Sequence, residues 1–382
     1  MTSDQQRFEE ILESISRGST SDIKVSLASL RPSEIAGTLK ANHPETRRII
    51  WGLIDEENRS QTLQHLHDDV RAEFLEAMDT AQLVSIAEDL DTDDFADILQ
   101  QLPETISAQV LESLSGADRA RLESVLSYAE DSAGGLMNTD TITVRPRHTA
   151  ELVLRYLRLR RDLPATTDTL IVVNSRDEYL GVLPITKLLT ANPSVTVREI
   201  MNSEEPAIHV NTSDTEVARL FSEHDLISAP VVDDADCLVG RITIDDVVDV
   251  IIEDAEEAVL GPAGLLVDED TFAPVRRAVR RRALWLGINL VTALMAAVVI
   301  SLFEETIIKV VALAVLMPVV ASMGGIAGTQ TLTLVIRGQA TGQLARRNLL
   351  WLLNREFFVA SLNGILWASV VALGAAYIFK DS

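Results

Sequence analysis

The sequence predicts a multidomain membrane protein. It has an all-α superhelical N-terminal domain, an α/β module made of two copies of one unit, a connecting helix, and an α-helical transmembrane segment with three spans. Three observations carry that reading. Long apolar stretches lie near the C-terminus, a block in the middle recurs at a spacing of 59 residues, and the first third repeats short amphipathic periods. A helical span needs about 20 apolar residues and a duplicated unit needs a matched order of elements, so each observation fixes a different part of the architecture.

Residues 1–130 place apolar side chains at helical spacing, as in Phe8/Ile11/Leu12/Ile15, Leu63/Leu66/Val70 and Leu83/Ile86/Leu90. Polar turns and caps such as Thr80, Thr92 and Pro103-Glu104 interrupt them at short intervals. That pattern predicts a solenoid-like domain of stacked helix pairs.

In the middle, Leu170–Leu189 (LIVVNSRDEYLGVLPITKLL) parallels Ala229–Val248 (APVVDDADCLVGRITIDDVV), with Val173/Val232, Gly181/Gly240 and Ile185/Ile244 each 59 residues apart. Each copy reads as a strand, an acidic turn, a Leu/Val-Gly strand and a helix. Each follows a Met-Asn pair (137–138 and 201–202), an extended segment and a helix (Ala150–Arg161; Asp214–Glu223). The module is placed at 131–250, with copies at about 137–200 and 201–250. This arrangement resembles a tandem pair of cystathionine-β-synthase (CBS) domains. The resemblance implies an adenine nucleotide such as ATP, gripped by the Thr and Asp after the second strand. The second copy keeps these as Thr243 and Asp246, whereas the first has Pro184 and Lys187.

The helix beginning at Ile244 is expected to end near Gly261-Pro262, a normal stop signal, with 251–275 as an acidic connecting helix and linker. Asp246, Asp249, Glu253 and Glu257 fall at i, i+3, i+7 and i+11, near one face. Like charges at that spacing oppose each other, so the helix tolerates this face rather than gaining from it.

The membrane segment, 276–382, has spans at about 283–303, 310–336 and 357–379, none containing an ionisable residue. The second carries Pro318, Gly324, Gly325 and Gly328, which predict a broken helix whose freed backbone lines a pathway; close helix packing at the glycines is the alternative. Basic clusters at Arg276–Arg282 and Arg337–Arg355, against the acidic Phe303-Glu304-Glu305, predict residues 1–280 in the cytosol and the C-terminus outside.

Charge divides the chain in the same way. Of 33 Lys and Arg and 57 Asp and Glu, 11 and 4 follow Asp270, leaving 22 bases against 53 acids before it. So acidic a front repels nucleic acid and suits mobile cations or simple solubility. One cysteine, Cys237, precludes an intramolecular disulfide and fits a reducing compartment. MTSDQQRFEE lacks the basic-then-apolar pattern of a cleavable signal. The six His are scattered, and neither a phosphate-binding Gly loop nor a G-x-S-x-G turn occurs, so an enzyme is not expected.

With these pieces placed, YAEDSAGGLMNTD (Tyr128–Asp140), DLDTDDFADILQQLP (Asp89–Pro103), ITIDDVVDVI (Ile242–Ile251) and PVVASMGGIAGTQ (Pro318–Gln330) together resemble the MgtE family of magnesium channels and transporters. The resemblance implies a homodimer in the plasma (inner) membrane. Mg²⁺ between its cytosolic acidic pieces would close a pore at the dimer axis. It carries ligand roles onto Asp93, Asp97, Asp246, Asp254 and Glu257, with Asp214, Glu216 and Asp249 as further candidates. It places Pro318, Gly324, Gly325, Ile326, Gly328 and Gln330 along the pathway.

Two departures stand out. Ile326 replaces the family's Asn, and three spans are read where the family has five, so the membrane acid that holds the hydrated ion is missing from them. The leading expectation is a Mg²⁺-gated Mg²⁺ transporter, its membrane segment truncated relative to the family, with either a decayed pore or one completed by another subunit. The other is a non-conducting paralogue that senses Mg²⁺ or nucleotide.

Overall fold

A computed structural model describes residues 20–160, 163–164, 166–267, 269–340 and 348–378. The helical period expected at Phe8–Ile15 lies outside the described residues, as do Arg161, Arg346, Arg347 and Phe379. The described chain falls into two compact units. One gathers the residues up to Ala255 together with Leu266–Ala273; the other gathers Glu256–Leu265 with the chain from Pro274 onward.

The first unit opens with helices of 8–11 residues running from Thr20–Leu27 to Gly116–Leu126. Prolines stand in the first turn of Pro32–Lys40 and Pro44–Leu53, where a missing N–H costs nothing. Asp79 and Gln82 cap Thr80–Asp89 reciprocally, at 2.9 and 3.0 Å. A helix tends to pack on the next but one: Pro32–Lys40 on Glu56–Gln64, Thr80–Asp89 on Glu104–Ser113, and Thr92–Gln101 on Gly116–Leu126. That is the stacked superhelix the periods predict.

Two three-stranded sheets follow. The first is β1 (Thr143–Val144), β2 (Thr169–Val173) and β3 (Tyr179–Pro184); the second is β4 (Ile208–His209), β5 (Ser228–Val232) and β6 (Leu238–Thr243). Both have a parallel first pair and an antiparallel second pair, with a register shift at the same place, Val172/Val173 and Val231/Val232. Asp177 and Asp236 hold positive φ at the matching turns. Even the seam is symmetric, for Thr169 and Ser228 share a hydroxyl hydrogen bond at 3.3 Å.

The Met-Asn pairs do something the repeat alone did not disclose. Asn138, ahead of the first copy, exchanges backbone hydrogen bonds with Arg241 of the second, at 2.8 and 2.9 Å. Asn202, ahead of the second, does so with Val182 of the first, at 2.9 and 2.7 Å. Each copy is therefore completed by the other's leader. Gly240 and Gly181 make room: a Cβ on Gly240 would lie 2.9 Å from the Asn138 carbonyl, and Gly181, at φ +143°, would meet the Asn202 carbonyl.

One hydrophobic core runs from the superhelix (Phe95, Leu99, Val125) through Met137 into the second copy (Val231, Ile242, Val247). The first copy has a separate core around Val153, Val172 and Leu183. The superhelix is thus welded to the copy that carries Thr243 and Asp246.

Ile244–Leu260 is one 17-residue helix, ended by the 3₁₀ turn Gly261–Ala263 and by Gly264 at φ 71°. Beyond it come Val275–Ser301, the short Glu304–Lys309, Val311–Ala340 and Leu349–Ile378, three of them long and apolar enough to cross a membrane.

Two expectations are corrected here. The helix containing Pro318, Gly324, Gly325 and Gly328 is continuous from Val311 to Ala340. A proline frees one carbonyl and each glycine costs about 1 kcal/mol, less than breaking several backbone hydrogen bonds in apolar surroundings. The third helix starts earlier than the charge-free stretch, so Arg355 and Glu356 lie within it. Intrahelical hydrogen bonding carries it through a pair whose charges satisfy each other, Arg355 to Glu356 at 3.2 Å.

Candidate metal centre

Asp91 is the N-cap residue of Thr92–Gln101 and makes no side-chain capping bond. Phe95, Ala96, Ile98 and Leu99 are buried and fix the helix's rotation. The first turn then brings Asp93 and Asp94 to the same place as Asp91: one carboxylate oxygen from each lies within 4.8 Å of the other two. Asp93 is only 7% exposed, and its Oδ1 has no hydrogen-bond partner. From the second copy, Asp246 in the first turn of Ile244–Leu260 acts on both Asp93 and Asp94.

The electrostatics show how crowded this is. Burial, then Asp246, Asp94 and Asp91, hold Asp93 well above the usual carboxylate range. Burial, then Asp246 and Asp91, push Asp94 up to about 8. Burial and Asp245 raise Asp246 to about 7, against hydrogen bonds from the Thr243 hydroxyl and N–H that favour its anion. A helix N-terminus ordinarily favours acids in its first turn, and here that help is overwhelmed. The groups acting most on Asp93 are acids, not bases. Such an all-oxygen donor set, three carboxylates at one helix start and a fourth, Asp246, on another element, suits a hard divalent cation that keeps part of its water shell.

The other expected ligands are placed differently. Asp97 is raised to about 6 by burial, with Glu130 and Asp68 adding to it and Arg71 opposing. Asp249 is raised by burial, and His65 and Lys40 pull it back. Asp214 accepts from the Thr215 hydroxyl and N–H, while Glu216 is bound by Arg219 at 2.7 Å, which lowers its pKa. Asp254 and Glu257 stand 8 and 11 residues beyond Asp246 on the same helix. At ~1.5 Å per residue that is ~12 and ~16 Å along the axis, so they do not share the Asp93 group. Thr243 donates its hydroxyl to Asp246 at 2.9 Å, so one carboxylate belongs both to the expected nucleotide pair and to the acidic group.

Sequence reasoning passed over Asp91, Asp94 and Asp245. The signal was present in Asp91-Thr92-Asp93-Asp94, which puts three carboxylates at the N-cap and first turn of one helix. On the second apolar helix, Gly325, Ile326 and Gln330 line one groove with Ser322, Thr329 and Thr333. Pro318, Gly324 and Gly328 are not among its lining residues.

An acidic region that gathers Asp91, Asp93 and Asp94 near Asp246, in a chain with three helices long and apolar enough to cross a membrane, fits a membrane protein of the divalent-cation transport class. Family profiles agree: "MgtE intracellular N domain" matches residues 30–131, "CBS domain" residues 197–253, and "Divalent cation transporter" residues 317–382. Magnesium transporter MgtE of Thermus thermophilus is 32% identical over 377 residues, covering 96% of this chain and 82% of that protein. The chain belongs to the MgtE family of magnesium transporters. The Bacillus subtilis relative of the same name is 30% identical over 263 residues, 68% of this chain and 58% of that protein. Among solved structures, the cytosolic domain of the Mg²⁺ channel MgtE in complex with ATP aligns at TM-score 0.58 and 32% identity. It covers 64% of this chain and 99% of that chain. The soluble part of a magnesium transporter aligns at TM-score 0.56 and 21% identity, a likeness of fold.

Proposed function

We propose that this chain is a membrane Mg²⁺ transport protein, gated by Mg²⁺ held among the carboxylates where the superhelix meets the second CBS copy. The observation that supports this most is Asp93, a buried carboxylate with an unpartnered oxygen whose main electrostatic neighbours are other acids. Without a cation, burial and repulsion oppose the association of the two elements; a bound divalent ion turns repulsion into a bridge. About 5.5 kcal/mol of such linkage, summed over coupled ions, swings a two-state gate almost fully. In this reading the protein is a homodimer in the inner membrane, with the acidic unit in the cytosol and the C-terminus outside. ATP, bound by the solved relative, occupies the second copy at Thr243 and Asp246, and the shared Asp246 lets nucleotide and ion influence each other.

Mg²⁺ flux into proteoliposomes, with internal Mg²⁺ set low or high, tests this on the full chain. Wild type is expected to conduct at low internal Mg²⁺ and shut at high, and Asp94→Asn with Asp246→Asn to conduct at both. Equal flux of wild type at both settings would remove the gating role. One observation favours a second reading, a non-conducting sensor: Ile326 adds an apolar, branched side chain to the groove where Ser322, Thr329, Gln330 and Thr333 are the polar groups. Absence of flux at either setting, with Mg²⁺-dependent thermal stabilisation retained, would support that one.

A further inference from the structure

Leu266–Ala273, the segment between the connecting helix and Val275–Ser301, belongs to the first unit. Its anchor is Asp270. Arg47, on Pro44–Leu53 of the superhelix, has a side chain only 1% exposed and reaches both Asp270 oxygens, at 2.7 and 2.6 Å. Its Nε donates to the Leu39 carbonyl at 2.9 Å, which fixes the guanidinium plane toward the segment. Glu73 stands 3.8 Å from Arg47 and 3.0 Å from Arg48, so the site is a socket with its own counter-charge. The Asp270 side chain is 7% exposed. Two residues on, Phe272 packs edge-on against His43, with centroids 4.7 Å apart, and the Phe272 N–H donates to Asp270 at 2.9 Å.

These contacts lie apart from the Asp93–Asp246 group, and their position in the chain matters. Asp270 precedes the first residue of Val275–Ser301 by five, and Pro274, with its fixed φ, caps that helix. At ~3.3–3.6 Å per residue, five residues span at most ~18 Å fully extended. The segment is shorter than that, since the Ala273 N–H closes a turn onto the Asp270 carbonyl at 2.9 Å. A superhelix that moved farther than this slack would have to pull on the helix start or strand a buried arginine.

We propose that the Arg47–Asp270 socket is a strap: it ties the superhelix directly to the start of the first membrane helix and transmits the superhelix's displacement to it. This is a connection separate from the one running through the second CBS copy and Ile244–Leu260. The coupling to flux rests on the transport reading; the strap itself does not, and its tests are chosen to keep the two apart.

The first test is trypsin cleavage after Arg276 in the full chain in lipid nanodiscs, with fragments identified by mass. Asp270→Asn should raise the cleavage rate about tenfold over wild type by freeing the segment from its socket, and Asp270→Glu should restore most of the protection. Equal rates in wild type and Asp270→Asn, at equal thermal stability, would overturn the strap whatever the protein transports. Should Asp270→Asn prove unstable, His43→Cys with Phe272→Cys in a Cys237→Ser background provides the second measurement. Oxidation should form a disulfide, slow the cleavage below the reduced form, and make flux insensitive to internal Mg²⁺. Unchanged Mg²⁺ dependence of flux with the disulfide formed would overturn the transmission.

Discussion

Two buried carboxylates in the first unit invite comparison. Asp93 and Asp270 are each 7% exposed, Asp93 as a residue and Asp270 at its side chain, yet their surroundings are opposite. Asp270 meets a bidentate arginine and needs nothing more. Asp93 meets three other acids and an unpartnered position on its own oxygen. Burial alone therefore says little about what a carboxylate does. The protein completes one with its own cation and surrounds the other with acids; under the proposed gating a cation from solution completes the second, which would separate a structural joint from a sensor.

The largest effect expected from this contrast is at the joint. Arg47→Ala leaves Asp270 buried without its partner, and breaking a buried pair from one side costs about 3–5 kcal/mol. Thermal or denaturant unfolding of the full chain in detergent should show that loss with and without Mg²⁺, because the arginine is a permanent part of the fold. A loss that vanished in Mg²⁺ would place the socket within the ion-responsive seam and erase the distinction.

At the seam the expected effect is smaller and depends on conditions. Asp94 at about 8 and Asp246 at about 7 hold protons in the folded state that the unfolded chain, near 3.8, has released. Their contribution to stability is therefore fully present below about pH 4 and is lost as pH rises through about 7 to 8. In chelator the melting temperature of the wild type should fall across that window, and saturating Mg²⁺ should reverse the trend at its upper end, where the ligands are deprotonated. Asp246→Asn removes the charge that acts most on both Asp93 and Asp94, so it should flatten the decline and weaken the Mg²⁺ response together. A steep decline persisting in Asp246→Asn would place the titrating group elsewhere.

How much of this the sequence disclosed follows from the range of the interactions. The superhelix, the duplicated copies and the apolar helices were legible because each is written in local periodicity. The β-bulges and the positive-φ aspartates recur at the same 59-residue spacing. The exchange of Met-Asn leaders between the copies was not legible, since Asn138 and Arg241 are 103 residues apart and nothing local marks the pairing. The same holds for Arg47 and Asp270, 223 residues apart. Asp93 was legible as an acid near a helix start, but its weight comes from Asp246 on another element. The continuous helix through Pro318 went the other way: local breaker residues pointed to a break, and hydrogen bonding in apolar surroundings overrode them.

Glu356 stands between the two extremes and provides the smallest expected effect. Its side chain is 13% exposed, and it accepts from the Thr331 hydroxyl of the neighbouring apolar helix at 3.3 Å while Arg355 stands at 3.2 Å. It is thus partnered by one neutral donor and one cation on its own helix, neither in a closed socket. Glu356→Gln keeps an acceptor oxygen for Thr331 and gives up the ion pair, so the cost should stay under about 1 kcal/mol, the scale of an exposed pair or one net hydrogen bond. Unfolding of the full chain in mixed micelles measures it, with Arg47→Ala as the large reference. A loss approaching that of Arg47→Ala would mean that Glu356 is enclosed in the assembled membrane segment as Asp270 is in its socket. The helix pair Val311–Ala340 and Leu349–Ile378 would then have a built joint of its own, and the contrast between joint and sensor would extend into the lipid.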